Sequence, residues 1–141
     1  MRRAVLFFLG LFLVACSAPQ AHASVQVKVD VRSQTMAVYV SGQHRHTWHV
    51  STGRRGYTTP GGSYRAKRIE RTWYSTIYDG APMPHAVFFK GGYAIHGTYD
   101  TKNLGRRASH GCVRLAPGNA AKLYSLVSRY GVQNTRISIR H

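Results

Sequence analysis

Val25, Val27, Val29 and Val31 alternate with polar residues, and after Ser33-Gln34 the pattern resumes at Met36, Val38 and Val40. Apolar residues at every second position turn one face of an extended chain toward a core and the other toward water. The two runs therefore predict neighbouring half-buried strands. Residues 44–51 make a third candidate, with His44, His46 and Trp48 on one face and Arg45, Thr47 and His49 on the other. Short strands at this spacing predict a meander, and with it a mainly β domain.

The rest of the chain extends that frame. Residues 52–62 hold Gly53, Gly56, Pro60, Gly61 and Gly62 and read as turns. Residues 63–70 read as one further strand, with weak alternation at Tyr64, Ala66 and Arg68. Residues 71–84, with Trp73, Tyr74, Ile77, Tyr78 and Met83 set among Gly80, Pro82 and Pro84, read either as a binding loop or lid or as an apolar loop packed on the core. Two apolar runs, 85–89 and 93–96, flank Lys90-Gly91-Gly92 and predict a tight hairpin. After a polar, basic loop at 97–108, Pro117 suits a first helical position. Ala120, Leu123, Tyr124, Val127 and Tyr130 recur at helical spacing, Gly131 supplies a stop, and residues 135–139 predict a last strand.

The N-terminus has another character. Met1-Arg2-Arg3, an apolar run from Ala4 to Ala15 and a stretch of small residues have the layout of a secretory signal, and the run is short for a membrane span. Two exits are readable. Ala21-His22-Ala23 suits cleavage before Ser24, giving a signal at 1–23 and one domain at 24–141. Leu13-Val14-Ala15-Cys16 suits a lipoprotein signal at 1–15, leaving a lipid on Cys16 as the sole tie to a membrane. Either way Cys112 lacks a partner for an intramolecular disulfide. A lone thiol in an oxidising compartment needs a reason: nucleophilic catalysis is the most economical one, a buried inert cysteine acting as a small hydrophobe is the alternative, and the flanking His110, Gly111 and Arg114 argue against an apolar site.

Twenty Lys and Arg face only Asp30, Glu70, Asp79 and Asp100, for a formal charge of +16. A surface of that sign attracts polyanions. The cations are scattered and no nucleic-acid module accompanies them, so the expected partners are the anionic polymers and lipids of a cell envelope and not nucleic acid.

Cys112 stands in Ser109-His110-Gly111-Cys112-Val113-Arg114-Leu115, with His96 sixteen positions before it. An imidazole that accepts the thiol proton and stays cationic would hold a thiolate, and both His96 and His110 are candidates. In an extended segment His110 and Cys112 would share a face. His96, His110 and Cys112 also compose a three-ligand zinc set, but no acidic residue or second cysteine joins them at a paired spacing, and neither metal nor cofactor is expected. His44, His46, His49 and His85 are expected to face solvent or to pack.

His96-Gly97, the spacer and Ser-His-Gly-Cys-Val-Arg together resemble the signature of the L,D-transpeptidase catalytic domain, the YkuD-like family of cell-wall enzymes. Thr59-Pro60-Gly61-Gly62-Ser63-Tyr64 is similar to the family's Thr-Pro-x-Gly-x-Tyr/Phe turn, and the likeness runs from Val25 to the C-terminus. The resemblance implies a mixed β-sheet sandwich with one helix after the cysteine. It implies Cys112 as nucleophile, His96 as proton acceptor and donor, and the Gly97 carbonyl as the group that orients His96. It assigns the backbone N–H groups of His110, Gly111 and Cys112 to the oxyanion. Arg114, Ser109 and Tyr93 are further candidates for the substrate: Arg114 reads as a two-pronged partner for a carboxylate or as a solvated cation, and Ser109 as a hydrogen-bond partner within the loop or to a histidine. The resemblance implies peptidoglycan tetrapeptide stems as acyl donors, loss of D-alanine, and transfer to another stem or to an amine on an outer-membrane protein. Carbapenems acylate such a cysteine. With water as acceptor the same chemistry is an L,D-carboxypeptidase, and a non-catalytic basic envelope-binding protein is the third reading.

Overall fold

The structure is a computed structural model that describes residues 23–141. Both signal exits, Cys16 included, lie outside the described residues. The elements run β1 (Val25–Asp30), β2 (Thr35–Val40), β3 (Gln43–His49), β4 (Gly62–Arg65), β5 (Arg68–Glu70), β6 (Ala86–Lys90), β7 (Tyr93–Gly97), β8 (Val113–Leu115), α1 (Pro117–Tyr130) and β9 (Thr135–Arg140). They form two mixed sheets. One has the order β3-β2-β1-β9-β4, with β1 and β9 parallel; the other has the order β5-β6-β7-β8, with β7 and β8 parallel.

The valine alternation does what its period requires. Val25, Val27 and Val29 of β1, Met36 and Val38 of β2, and Ile137 and Ile139 of β9 turn one face into a shared core. The second sheet answers with Val87, Phe89, Ile95, Val113 and Leu115, and α1 adds Ala120, Leu123 and Val127 to the same core. Pro117 opens the helix, and Gly131, at φ 99°, closes it with its N–H on the Val127 carbonyl. The fold is thus the expected mixed-sheet sandwich with one helix after Cys112. Among the described residues no helix is long and apolar enough to cross a membrane.

One expectation needs correction. Residues 63–70 are not one strand: β4 pairs with β9 in the first sheet and β5 with β6 in the second. The chain changes sheets at Ala66-Lys67, where the Ala66 N–H donates to the Thr135 carbonyl and the next N–H, that of Lys67, to the Phe88 carbonyl. A corner of this kind spoils alternation, which is why the pattern there was weak. The sequence pattern does not announce β8, whose three residues are too few to establish a period. The strand exists because Ile95 and Val113 pair in parallel register and because Ser51 and Arg114 exchange backbone hydrogen bonds at 3.0 and 2.8 Å.

The central place of β9 gives a test. Ile137 is fully buried between β1 and β4, whereas Ser138 is exposed on the opposite face. Ile137→Ala should lower the unfolding free energy by about 2 to 5 kcal/mol, while Ser138→Ala changes it by under about 0.5 kcal/mol. Urea denaturation midpoints of the two variants check this.

Candidate active site

Alternation along β7 and β8 sorts chemistry from packing. Ile95, Val113 and Leu115 face the main core, while Ala94 joins Met83, Ala86 and Phe88 in a second, smaller apolar cluster on the other side of the sheet. His96 and Arg114 are register partners at the ends of these strands, and both line one cavity. Cys112, immediately before β8, lines it too and rests against the smaller cluster. The cavity holds about 480 Å³.

His96 is only 5 % exposed, and its Nδ1 lies 2.7 Å from the Gly97 carbonyl oxygen. A carbonyl only accepts, so Nδ1 carries the hydrogen and Nε2 keeps its lone pair. Gly97 is held hard: its N–H donates to the Pro84 carbonyl, and a Cβ there would meet Pro84, Ala120 and Pro117 at 3.1 to 3.4 Å. Burial pulls the imidazole down to about 4, against a smaller opposing pull from the Gly97 carbonyl. At neutral pH the ring is an uncharged base.

The Cys112 thiol is half-buried. Its Sγ accepts from the Ala94 N–H at 3.4 Å and donates to the Gly92 carbonyl at 3.8 Å. Burial pushes it above its ordinary value, outweighing the Ala94 N–H and the Arg114 charge. The resting pair is therefore thiol and neutral imidazole, in place of the thiolate and imidazolium suggested by the residue types alone. The physical reason is desolvation of both groups.

The turn from Ser109 to Cys112 is bent, so His110 and Cys112 do not share a strand face as an extended segment would have it. Ser109 is fully buried; its hydroxyl donates to the Cys112 carbonyl at 2.6 Å and accepts the Gly111 N–H at 3.0 Å. It shapes the turn and is not among the residues lining the cavity. Because the Gly111 N–H is engaged there, the amides of His110 and Cys112 are the candidate donors for an oxyanion. Gly111 has φ 119°, and a Cβ on it would lie 2.6 Å from Cε1 of Tyr93. Tyr93 accordingly buttresses this turn and, like Ser109, is not among the cavity-lining residues. Arg114 does line it.

His110 lines the cavity in a different way. Its ring stacks on Tyr78 at 4.1 Å between centroids and meets Tyr57 edge-on at 4.8 Å, while Arg54 Nη2 lies 3.2 Å from its Nε2. A guanidinium only donates, so Nε2 accepts and cannot take a proton from Cys112. Burial, then the charges of Arg54 and Arg114, hold this imidazole below its ordinary value. Of the two candidate bases, His96 alone has a free lone pair.

The aromatic loop packs at its base and reaches the cavity at its tip. Trp73 and Met83 at its base pack on the smaller cluster, while Ser75, Ile77, Tyr78 and Asp79 at its tip line the cavity. A backbone hydrogen bond from Ser75 to Ala81 and the Ser75 hydroxyl, which accepts from the Tyr78 N–H at 3.0 Å, brace the tip. Sequence reasoning missed Arg54, hidden in a segment legible only as turns, and Asp79 and Asp100, counted only as charge though both line the cavity. His44 and His49 are exposed, His46 stacks on Trp48, and His85 meets Tyr124 edge-on, as expected of histidines outside the site. Among the described residues no group of three or more His, Cys, Asp or Glu is placed to hold a metal ion.

A sandwich of this topology, with a cysteine, a carbonyl-oriented histidine and a bent Ser-His-Gly-Cys turn on one cavity, defines a class. The L,D-transpeptidase catalytic domain model matches residues 24–139, and the chain belongs to that YkuD family. Solved structures agree. An L,D-transpeptidase from Mycobacterium smegmatis superposes with a TM-score of 0.74 at 25% identity, over 84% of this chain and 59% of that one. One from Stackebrandtia nassauensis gives 0.72 at 27% identity, over 89% and 59%. A third, the L,D-transpeptidase LdtMt1 in complex with imipenem, gives 0.73 at 23% identity, over 84% and 59%, and speaks for the fold. The chain thus spans about three fifths of the length of each of these proteins. No curated protein sequence matches it.

The neutral pair has consequences in both pH directions. Alkylation by iodoacetamide should follow one ionisation above the ordinary thiol value of 9.0, with no plateau of reactivity between pH 5 and 8; such a plateau would establish the ion pair instead. On the acid side, an unfolded chain carries the His96 imidazole at its ordinary 6.5 and takes up a proton that the folded protein refuses until about 4. Stability is complete above 6.5 and declines as pH falls toward 4, by about 2 kcal/mol at pH 5. His96→Gln should lack this part of the slope in urea titrations at pH 7 and 5. Gly111→Ala should lower stability by about 2 to 4 kcal/mol through backbone strain and the Tyr93 contact, and Tyr93→Leu in that background should recover only part, as thermal melts would show.

Proposed function

We propose that this protein is a peptidoglycan L,D-transpeptidase in which Cys112 attacks the third-residue carbonyl of a tetrapeptide stem. The observation that carries the reading is His96: its Nδ1–H is committed to Gly97, and its free Nε2 belongs to a ring lining the same cavity as the Cys112 thiol.

The chemistry follows from these atoms. Sγ leaves the Ala94 N–H, gives its proton to Nε2 of His96 and bonds to the carbonyl carbon. Charge moves to the carbonyl oxygen, where the amides of His110 and Cys112 are the donors at hand. Collapse of the tetrahedral intermediate breaks the bond to D-alanine, whose nitrogen takes the proton from His96. The thioester is then attacked by an amine, His96 takes that proton, and the thiol returns as the sulfur leaves. Arg114 suits a donor carboxylate as a two-pronged partner, and the two cavity acids, Asp79 and Asp100, suit ammonium groups of a diamino acid donor or acceptor. With a neutral resting pair, the proton transfer is coupled to attack on a bound carbonyl.

The reading extends to the ends of the reaction. The acceptor is another stem, forming a 3-3 cross-link, or an amine of an outer-membrane protein. Water as acceptor would make the enzyme an L,D-carboxypeptidase. Residues 1–23 export the chain to the periplasm or cell envelope, or residues 1–15 do so with lipid on Cys16. No cofactor enters any step. The imipenem complex of a structurally similar transpeptidase supports carbapenems as acylating agents for Cys112.

Incubation of the purified protein with a disaccharide-tetrapeptide, followed by mass spectrometry, tests this. Loss of D-alanine together with a 3-3 linked dimer is expected, with activity reduced by at least about 1,000-fold in Cys112→Ala and His96→Ala. Imipenem should add one covalent equivalent to the wild type and none to Cys112→Ala. Loss of D-alanine without dimer would favour hydrolysis, and full activity in Cys112→Ala would overturn the reading.

A further inference from the structure

A group of exposed arginines lies beside the cavity and takes no part in the chemistry above. Two loops, 50–58 and 104–109, are laced by backbone hydrogen bonds: Gly105 N–H to the Val50 carbonyl at 2.8 Å, Ala108 and Ser109 N–H to the Thr52 carbonyl at 2.9 and 3.0 Å, and Arg54 N–H to the Ser109 carbonyl at 2.9 Å. The lacing leaves Arg54, Arg55, Arg106 and Arg107 exposed on neighbouring turns. Arg54 reaches the rim of the cavity through His110, and Ser109 leads within three residues to Cys112. The acids offer this ridge no neutralisation. Asp30 pairs with Arg140 and Glu70 with Arg68, Asp79 and Asp100 line the cavity, and no ion pair to any of the four ridge arginines exists among the described residues.

We propose that this arginine ridge is an exosite for the carboxylates of a polymeric substrate strand, binding stems that neighbour the one in the cavity. The inference rests on the proposed function, since it takes the strand to be peptidoglycan. Three features favour carboxylates on a strand. All four cations are arginine, whose planar fork matches a carboxylate in two hydrogen bonds. The loops are already ordered, so binding spends little conformational entropy. A strand whose one stem enters the cavity holds its other stems close to the adjoining surface, and each added contact then acts at high effective concentration. An anionic lipid surface is the rival occupant, since Ile77 and Tyr99 stand 75 % and 70 % exposed at the cavity, and the vesicle arm of the test below separates the two. The ridge makes the enzyme prefer assembled wall to free fragments.

The test uses Arg55→Gln/Arg106→Gln/Arg107→Gln, leaving Arg54 on His110. Co-sedimentation of the protein with purified sacculi at 20 and 200 mM salt should show wild-type binding that weakens steeply with salt, and at least about tenfold weaker binding with a shallower salt dependence in the variant, which keeps its other cations. Carbodiimide amidation of the sacculus carboxylates should abolish the difference. Turnover of the soluble disaccharide-tetrapeptide should change less than about twofold, placing the loss in KM for polymer alone. The proposal is overturned if the variant sediments like wild type, if activity on the soluble fragment falls equally, or if the substitutions instead abolish binding to phosphatidylglycerol vesicles and spare sacculi. Sedimentation repeated with Cys112→Ala needs no turnover, so a failed transpeptidase assay and a failed exosite remain distinguishable.

Discussion

The hydrogen bond from His96 Nδ1 to the Gly97 carbonyl sets what the rest of the site can be. It fixes the tautomer with a backbone group that has no charge of its own, so the ring gains orientation without gaining basicity from a carboxylate. A carboxylate partner in that buried place would raise the imidazole and stabilise its cation. Here desolvation wins and the ring stays neutral. That outcome depends in turn on the placing of Gly97, whose N–H donates to the Pro84 carbonyl and beside which Pro84, Pro117 and Ala120 leave little room for a side chain. The start of α1 thus serves the site by packing, though none of its side chains lines the cavity.

A second consequence concerns the two histidines of the motif. They are chemically identical and both line the cavity, yet the fold gives them opposite roles. His96 has its donor satisfied and its acceptor free; His110 has its acceptor occupied by Arg54 and its faces held by Tyr57 and Tyr78. Tyr78 belongs to the loop over the cavity, so the stack ties the tip of that loop to the turn that carries Cys112. The sequence motif names both histidines, and only the partners of each nitrogen separate them.

Much of this was legible from residues. The valine alternation foretold β1 and β2, Lys90-Gly91-Gly92 the β6–β7 hairpin, and the spacing of Ala120, Leu123 and Val127 the buried face of α1. Cys112, His96 and Gly97 could be named because their chemistry and order form a motif. What stayed hidden was of another physical kind. The sheet change at Ala66-Lys67 and the three residues of β8 are set by pairing with distant strands, which periodicity does not register. For Ser109 the motif leaves open a bond within the loop or a role toward the substrate, and the partners of its buried hydroxyl give it to the turn.

The charge distribution follows a related logic. A chain with twenty cations and four acids places two of those acids on the wall of the cavity and binds the other two to arginines elsewhere. The cavity wall thereby carries two acids beside Arg114. For a thiol this matters, because a dense positive field would draw Cys112 toward thiolate and expose it to oxidation in any oxidising compartment. Burial against the smaller apolar cluster and the uncharged His96 act in the opposite sense, keeping the sulfur protonated until a carbonyl carbon is presented to it. Electrostatic attraction is concentrated on the arginine ridge outside, where it gathers anionic strands without activating the nucleophile. Separating the two tasks in space lets one protein be strongly cationic and chemically quiet at rest.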